Sequence, residues 1–553
     1  MTQTPERASH RPEWDAWGSA DQRPVLSEEA RRFLRATVGE AVPQQPVGIT
    51  SVVPEPSRLG PEAHAALVAA VGPDQVRTDD ESRLRRAGGQ SYVDLIRRRS
   101  GSTPAPDAVV LVSSDAEVLA VLRACGAHDV AVVPFGGGTS VVGGVEPLAG
   151  AHRAVISLDL ERLSTLIDVD PLSLTATVGA GMTTPALEAA LSRHGLTLGH
   201  APQSWQRATI GGYVVTRSAG QASTGIGRFD ELVLGLTFVT PSGVMELPAL
   251  PGSASGPDLR RLVMGSEGTL GVVTRVQLRV RRLPAQRRFE GWAVPSFEAG
   301  REAFRALVQA GTTADVMRLS DEVETRVALE LTGPRGWQRG ALDRYLGLRL
   351  QGDPCLVILG FEGDGEDVAH RRKVVTRVLR AAGGVPLGRR AGRSWEHGRF
   401  AGPHLRDSLM DAGYLVETLE TAALWAGLEE LHAGVRDAVT AALAEQGTPP
   451  VVGCHVSHVY GVGASLYFTV IARRVPGGET AQWGRAKEAA NAAIAAAGAA
   501  ATHHHGVGTM HRGWVRHELS ALGLDALAAV KAQLDPHNVL NPGKLLGAPG
   551  DGG

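Results

Sequence analysis

A chain of 553 residues, 43% of them hydrophobic, is too long for one ordinary core and implies two or more domains. Its 56 lysines and arginines are balanced by 58 aspartates and glutamates, which excludes the basic footprint of a nucleic-acid binder. The three cysteines, Cys125, Cys355 and Cys454, are widely spaced and odd in number, which fits neither a disulfide framework nor a CxxC metal site and points to a reducing compartment.

The N-terminal MTQTPERASH lacks the apolar core of a signal peptide, and no stretch reaches the ~20 apolar residues of a membrane span, so a cytoplasmic protein is expected. Residues 1–103 read as an extended and helical cover. Within them RPEWDAWG is apolar enough to dock on a later domain, and SEEARRFLRATVG predicts a helix capped by Ser27 and ended by Gly39. Residues 104–284 change to short β runs such as AVVLVSS, VAVVPF and AVISLDL divided by glycine-rich turns, the texture of an α+β domain. One helix interrupts them at TTPALEAALSRHG, with Thr183 or Thr184 as cap, Pro185 in the first turn and Gly195 past the end. Residues 285–500 predict a second α+β domain, where PCLVILGFEG and GASLYFTVIARRV alternate with helical stretches such as DVAHRRKVVTRVLRAAGG. The alanine-rich AQWGRAKEAANAAIAAAGAA reads as a buried or semi-buried helix, and residues 501–553 form a C-terminal segment.

The stretch AVVPFGGGTSVVGGVEP carries the first chemical signal. A strand that ends in Gly136, Gly137 and Gly138, followed by Thr139 and Ser140, can turn several backbone N–H groups into one concavity suited to phosphate. A plain tight turn is the competing reading. There is no GxxxxGK[ST], and the loop does not open a long helix with an acidic residue about twenty positions on, which excludes a P-loop and a dinucleotide fingerprint. Two further glycine loops, RATIGGYVVTRSAG from Arg207 and GSEGTLGVVT from Gly265, lie in the same domain.

PFGGGTSVVGGV, VGAGMTTPALEAAL, ATIGGYVVTRSAGQASTGIGRFDELV and GSEGTLGVVT together resemble the vanillyl-alcohol-oxidase-like flavoproteins, the PCMH-type FAD-binding fold. The resemblance implies a two-lobed α+β FAD-binding domain, a second α+β substrate or cap domain, and a C-terminal segment that returns to the flavin. It implies that FAD is held by Pro134, Gly136, Gly137, Gly138, Thr139, Ser140, Gly179, Gly181, Thr209, Gly211, Gly212, Thr216, Ser218, Glu267, Gly268 and Val273. Members with covalent FAD often use a histidine in or near the glycine loop; PFGGGTS has none, so a non-covalent flavin is expected.

ATHHHGVGTM, with His503, His504 and His505, stands where the 2-hydroxyacid dehydrogenases of this family carry GEHG, and CHVSHVYGVGASLYFTV lacks their HAGDGN-like run, so no metal is expected. A solvated polar loop is the bland reading of the three histidines. HHHGVG, the Tyr460 after SHV, RPEWDAWG, DVMRLSD around Arg318, LRDSLMDAGYLVETLETAALW around Arg406 and LDPHNVLNPGKLL instead resemble the alkyldihydroxyacetonephosphate synthase family over nearly the whole chain. That family replaces the acyl group of acyl-dihydroxyacetone phosphate with a fatty alcohol through a flavin N5 adduct, without net oxidation. The resemblance implies that Arg318 and Arg406 bind the anionic, lipid-bearing substrate. It also implies that Tyr460 and His503 to His505 transfer protons, the histidines titrating near neutrality and the tyrosine activated by a nearby cation. Salt bridges are the plainer reading of the arginines, and a satisfied buried group that of the tyrosine.

The family has an HGH run where this chain reads Gly88, Gly89 and Gln90, which keeps open an FAD-linked oxidase or dehydrogenase of an anionic hydroxy compound. A flavin-binding scaffold would leave the tyrosine, histidines and arginines without a shared purpose. Glu417 and Glu420 in VETLET read as structural, His200 as a loop histidine near the second glycine loop, and Asn541 and Lys544 as part of a segment folding back toward the cofactor. The terminal GAPGDGG shows no SKL-like peroxisomal address. A homodimer with peripheral membrane contact is expected, without a nucleic-acid partner.

Overall fold

Closely spaced glycines and prolines cut the apolar runs of the N-terminal half to strand length, and the computed structural model, which describes residues 13–546, assembles these runs into two sheets. The first places Ala108–Leu111, Ala154–Asp159 and Val130–Phe135 side by side and parallel, with Val130 opposite Ala154 and Ala108 opposite Ile156. Strands buried on both faces need no polar alternation, which is why VAVVPF and AVISLD are nearly continuous apolar runs. Val76–Arg77 adds an antiparallel edge, and the helix Pro61–Val71 packs on Asp115–Ala127 with Leu67 in the shared core. Residues before 104 therefore build part of this lobe and do more than cover it, because Leu67 and Val76 are buried there. The second sheet is antiparallel, in the order Leu166–Asp170, Thr175–Gly179, Val272–Arg279, Val233–Thr240 and Gly243–Leu247.

A third sheet of seven antiparallel strands fills the C-terminal half, in the order Val385–Leu387, Gln286–Val294, Cys355–Gly363, Val316–Ser320, Val451–Val459, Gly463–Arg473 and Tyr414–Leu424. Alternation along its strands sorts the side chains. Met317, Leu319, Val452, Cys454, Leu466 and Phe468 join the helix-covered core, while Arg318, His455, Ser457 and Tyr467 point the other way, into a cavity. The helices on the core side include Phe297–Gln309, Gly365–Ala381, Leu428–Ala444 and the alanine-rich Glu479–Ala496.

Local signals behave as their chemistry dictates. Ser27 caps Glu28–Val38 by accepting the Ala30 N–H at 3.2 Å, and Gly39 ends it. Thr184–Ser192 starts after Thr183, which makes no side-chain cap, and stops before Gly195. The chain closes by returning to the first sheet, where Leu540 pairs with Val132. The three cysteines are buried and unpaired, and no described helix is long and apolar enough to cross a membrane. The expectations placed on MTQTPERASH, on Arg11 and Pro12 of RPEWDAWG and on GAPGDGG lie outside the described residues.

Candidate active site

The three glycine loops, the open face of the seven-stranded sheet and the Glu322–Leu331 and Gly336–Arg349 helices enclose a cavity of about 1580 Å³. Pro134, Gly136 to Ser140, Thr209, Gly211, Gly212, Thr216, Ser218, Glu267, Gly268 and Val273 all line it. Gly179 and Gly181 stand behind this wall, pressed on the backbone of Leu163 and Leu160.

Bare backbone in PFGGGTS has a second use besides a concavity. A Cβ at Gly137 would lie 2.1 Å from the Arg207 carbonyl oxygen, so glycine is what lets the first and second loops touch. Among the described residues, the N–H groups of Gly137, Gly138, Thr139 and Ser140 have no acceptor. The Ser140 hydroxyl accepts the Gly144 N–H at 2.9 Å and keeps its own proton to donate. The third loop is tied to the C-terminal segment: the Glu267 carboxylate accepts the N–H of Gly508 at 2.7 Å, its carbonyl accepts Asn541 Nδ2 at 2.6 Å, and burial pushes its carboxyl up to about 7. A wall of unpaired backbone donors, hydroxyls and glycine Cα atoms fits the diphosphate and sugar hydroxyls of FAD.

Opposite this wall the histidines converge, and Glu420 organises them. Its buried carboxylate accepts the backbone N–H groups of His503, His504 and His505 at 2.6, 3.1 and 2.8 Å and the Thr502 hydroxyl at 2.6 Å. Burial alone would raise this carboxyl, yet the facing imidazoles and these donors hold it well below the usual carboxylate range. A residue read as structural in the sequence is thus the anchor of the HHH run. His458 is the other addition. On Val451–Val459 the odd positions face the cavity, but a register irregularity between Val456 and Val459 turns the even-numbered His458 there as well. Ser223 Oγ holds its Nδ1 at 2.5 Å, and its ring stacks on His503 with centroids 4.9 Å apart.

Tyr460 Oη lies 2.6 Å from His503 Nε2, and His503 Nδ1 lies 2.9 Å from His504 Nδ1. His504 and His505 line the cavity, whereas Tyr460 and His503 stand outside its lining. Side-chain nitrogens of His458, His503 and His504 all lie within 4.8 Å of one another, although hydrogen bonds to Ser223, Tyr460 and neighbouring imidazole already engage them. The protonation expected from the sequence is corrected here. Burial holds His503 and His458 well below the ordinary imidazole range, lowers His504, and takes His505 to about 3, so the cluster is neutral at neutral pH. Burial also pushes the Tyr460 hydroxyl up to about 12, outweighing the opposing Arg228 cation.

The two arginines differ in their commitments. Arg318 donates to His455 at 3.0 Å and to Glu324 at 3.2 Å. Burial would raise the Glu324 carboxyl, but His455 and Arg318 hold it down at about 2. Arg406 gives one N–H to the Gln90 carbonyl at 2.7 Å, and its Nε and Nη2 are buried without acceptors. Gln90 lines the cavity with an unpartnered Oε1, and its own N–H meets Ser140 at 2.6 Å, which a Cβ on Gly89 would prevent by lying 2.1 Å from the same oxygen. Trp17, to which the sequence assigned no chemistry, also lines the cavity: its N–H donates to Asp407 at 2.9 Å and its carbonyl accepts Arg207 at 3.0 Å. His200 is a core residue, 1% exposed and bonded to Ser218 at 3.1 Å.

Known proteins match this architecture in both halves. The FAD binding domain family matches residues 106–247, and the FAD linked oxidases C-terminal domain family matches residues 283–545. The alkyldihydroxyacetonephosphate synthase of Trypanosoma brucei brucei is 34% identical over 86% of this chain and 79% of its own. A solved alkyldihydroxyacetonephosphate synthase superposes with a TM-score of 0.82 at 27% identity, covering 97% of this chain and 99% of the other. Substrate-bound p-cresol methylhydroxylase, 16% identical with a TM-score of 0.66 over 87% of this chain and 96% of its own, shares the fold. With its FAD-binding and FAD-linked oxidase domains, the chain belongs to the alkyldihydroxyacetonephosphate synthase family of flavoproteins.

Proposed function

We propose that this protein exchanges the acyl group of an acyl-dihydroxyacetone phosphate for a long-chain alcohol, releasing a fatty acid and forming an ether. The observation that carries the reading is that one cavity joins the FAD wall, the unpaired donors of Arg406, the imidazoles, and an apolar arm bounded by Val327, Leu331, Leu342 and Leu346. Arg406 holds the phosphate: a guanidinium whose Nε and Nη2 have no hydrogen-bond acceptor, with Asp407 no nearer than 4.0 Å, presents the fork that suits a doubly charged oxyanion. Arg318, already paired with Glu324, adds positive potential and orients His455. The apolar arm takes the chains and excludes water. The three loops would hold FAD non-covalently, and the cofactor would supply an electron-accepting ring to the reaction. Neutral His504, facing the cavity, accepts the proton that the alcohol must lose.

The surroundings support a membrane-adjacent enzyme. Gly336–Arg349 turns Leu342 and Leu346 toward the cavity while Trp337 and Leu348 are 79% and 75% exposed, the pattern of a helix resting on a lipid surface at the mouth of a chain-binding site. Unpaired buried cysteines accord with the cytoplasm. Leu519 and Leu522, on either side of a kink at Ser520 in a helical segment with no buried residue, offer a surface for a second copy.

The test is purified holoenzyme mixed anaerobically with palmitoyl-dihydroxyacetone phosphate and then hexadecanol, with products read by mass spectrometry. Ether and palmitate in equal amounts are expected. Flavin reduction with a net oxidised product and no ether overturns the reading in favour of a dehydrogenase.

A further inference from the structure

The exchange reaction sets a problem of proton balance. An ester and an alcohol give an ether and a carboxylic acid, and at neutral pH that acid ionises, so each turnover leaves one proton to be disposed of in a largely apolar cavity. We infer that His504, His503 and Tyr460 form a proton wire from the cavity to solvent, with His504 as the inner end that meets the alcohol and Tyr460 as the outer end.

Three placements carry this. First, the hydrogen bonds are continuous: His504 Nδ1 to His503 Nδ1 at 2.9 Å, and His503 Nε2 to Tyr460 Oη at 2.6 Å. Second, the ends differ in what they face. His504 lines the cavity, whereas Tyr460 follows the strand Val451–Val459 in a turn whose next members, Gly461 and Val462, are exposed, Val462 to 71%. Third, every link is locked. Glu420 fixes the histidine backbone, the turn is closed by the Tyr460 N–H bond to Gly463 at 2.8 Å, and the Tyr460 carbonyl accepts Trp425 Nε1 at 3.1 Å.

The proton count closes. With His504 carrying its proton on Nδ1 and His503 on Nε2, the alcohol O–H gives its proton to His504 Nε2. The Nδ1 proton of His504 then passes to His503 Nδ1, the Nε2 proton of His503 passes to Tyr460 Oη, and the phenol proton leaves to water. One proton enters, one departs, and each group changes only its tautomer or hydrogen-bond direction. Neutral imidazoles, held so by burial, suit such transfer. The groups facing the wire are Arg228, Asp230 and Glu231 at the tyrosine, and Arg228, His458, Tyr467, His505 and Glu420 at the histidines. Tyr460 and His503 act here through His504, which alone touches substrate.

This inference rests on the proposed exchange reaction, and chemical rescue tests it separately. Steady-state ether formation is measured with wild type, Tyr460→Phe, His503→Gln and His504→Ala holoenzymes in rising imidazole buffer, with flavin absorbance confirming each is loaded. Tyr460→Phe is expected to lower kcat about 10- to 100-fold, and buffer to restore it at least about fivefold, since a small base takes the place of the outer end. His504→Ala is expected to lose over about 100-fold without rescue, and His503→Gln, broken in the interior, to stay slow in buffer. A Tyr460→Phe enzyme that keeps wild-type kcat, or one that is slow and indifferent to buffer, overturns the wire. Absence of ether from the wild type overturns the reaction itself.

Discussion

Arg318 and Arg406 line one cavity, and of the two only Arg406 arrives with buried donors that lack an acceptor. Arg318 spends its guanidinium on Glu324 and His455, at 3.2 and 3.0 Å. Charged hydrogen bonds to a ligand contribute about 1.5–3 kcal/mol each. Arg406→Ala is therefore expected to lower kcat/KM by roughly 10²-fold, mostly through KM for the phosphorylated substrate. Arg318→Ala leaves the Glu324 carboxylate with His455 but no guanidinium and is expected to lower the thermal midpoint more than Arg406→Ala does. Steady-state kinetics beside thermal melts separate the two.

Glu420 offers a second test, since it holds three consecutive imidazoles by their backbones. Glu420→Gln keeps an acceptor oxygen but loses the charge and places an N–H against groups that are themselves donors. A kcat lowered about 10- to 100-fold, with KM for the phosphorylated substrate within about twofold of wild type, is expected. An equal rise in KM would show that the change reaches beyond the histidines.

Acid should unfold this protein early. His200, His505 and His511 are held at about 3 by burial, against 6.5 for a free imidazole. Between those values the unfolded chain binds more protons than the folded one, so their stabilisation is complete above pH 6.5 and is lost as pH falls toward 3. Each costs about 1.4 kcal/mol per pH unit within that window. Glu267, raised from 4.5 to about 7, works in the opposite sense between those values but is a single group. A thermal midpoint that drops between pH 7 and pH 5.5 is expected, and a flat profile would contradict the neutral assignment.

Gly137 separates packing from cofactor chemistry. Gly137→Ala drives a methyl to 2.1 Å from the Arg207 carbonyl and forces two of the three loops apart. The variant is expected to purify with less than about a tenth of the wild-type flavin, read from the ratio of visible to ultraviolet absorbance, while far-ultraviolet circular dichroism stays unchanged.

Much of this site could be read from the chain because its signals are local. Glycine loops, a run of three histidines and an arginine in LRDSLM are contiguous patterns, and each brings residues to the cavity wall, His503 standing just behind it. What escaped was set by packing at long range. His458 sits at a parity that an ideal strand would point into the core, and only the irregularity after Val456 turns it. Glu420 looks like any carboxylate on a strand until residues 82 to 85 positions later fold one hydroxyl and three N–H groups onto it. Trp17 and Gln90 reach the cavity through partners more than 300 residues away, Asp407 and Arg406. The protonation states were misjudged for the same reason: desolvation belongs to the fold and not to the motif.

The C-terminal segment has one more consequence. Asn541 bridges the carbonyls of Gly144 and Glu267, 397 and 274 positions away, and Leu540 lies against Val132 in the first sheet. These contacts join the third glycine loop to the first. On the ribosome, a chain with both lobes already made still lacks the clasp that holds them in register, and such distant closures are slow. The flavin pocket is thus a late product of folding, and nascent chains should need free FAD near the end of synthesis rather than at its start.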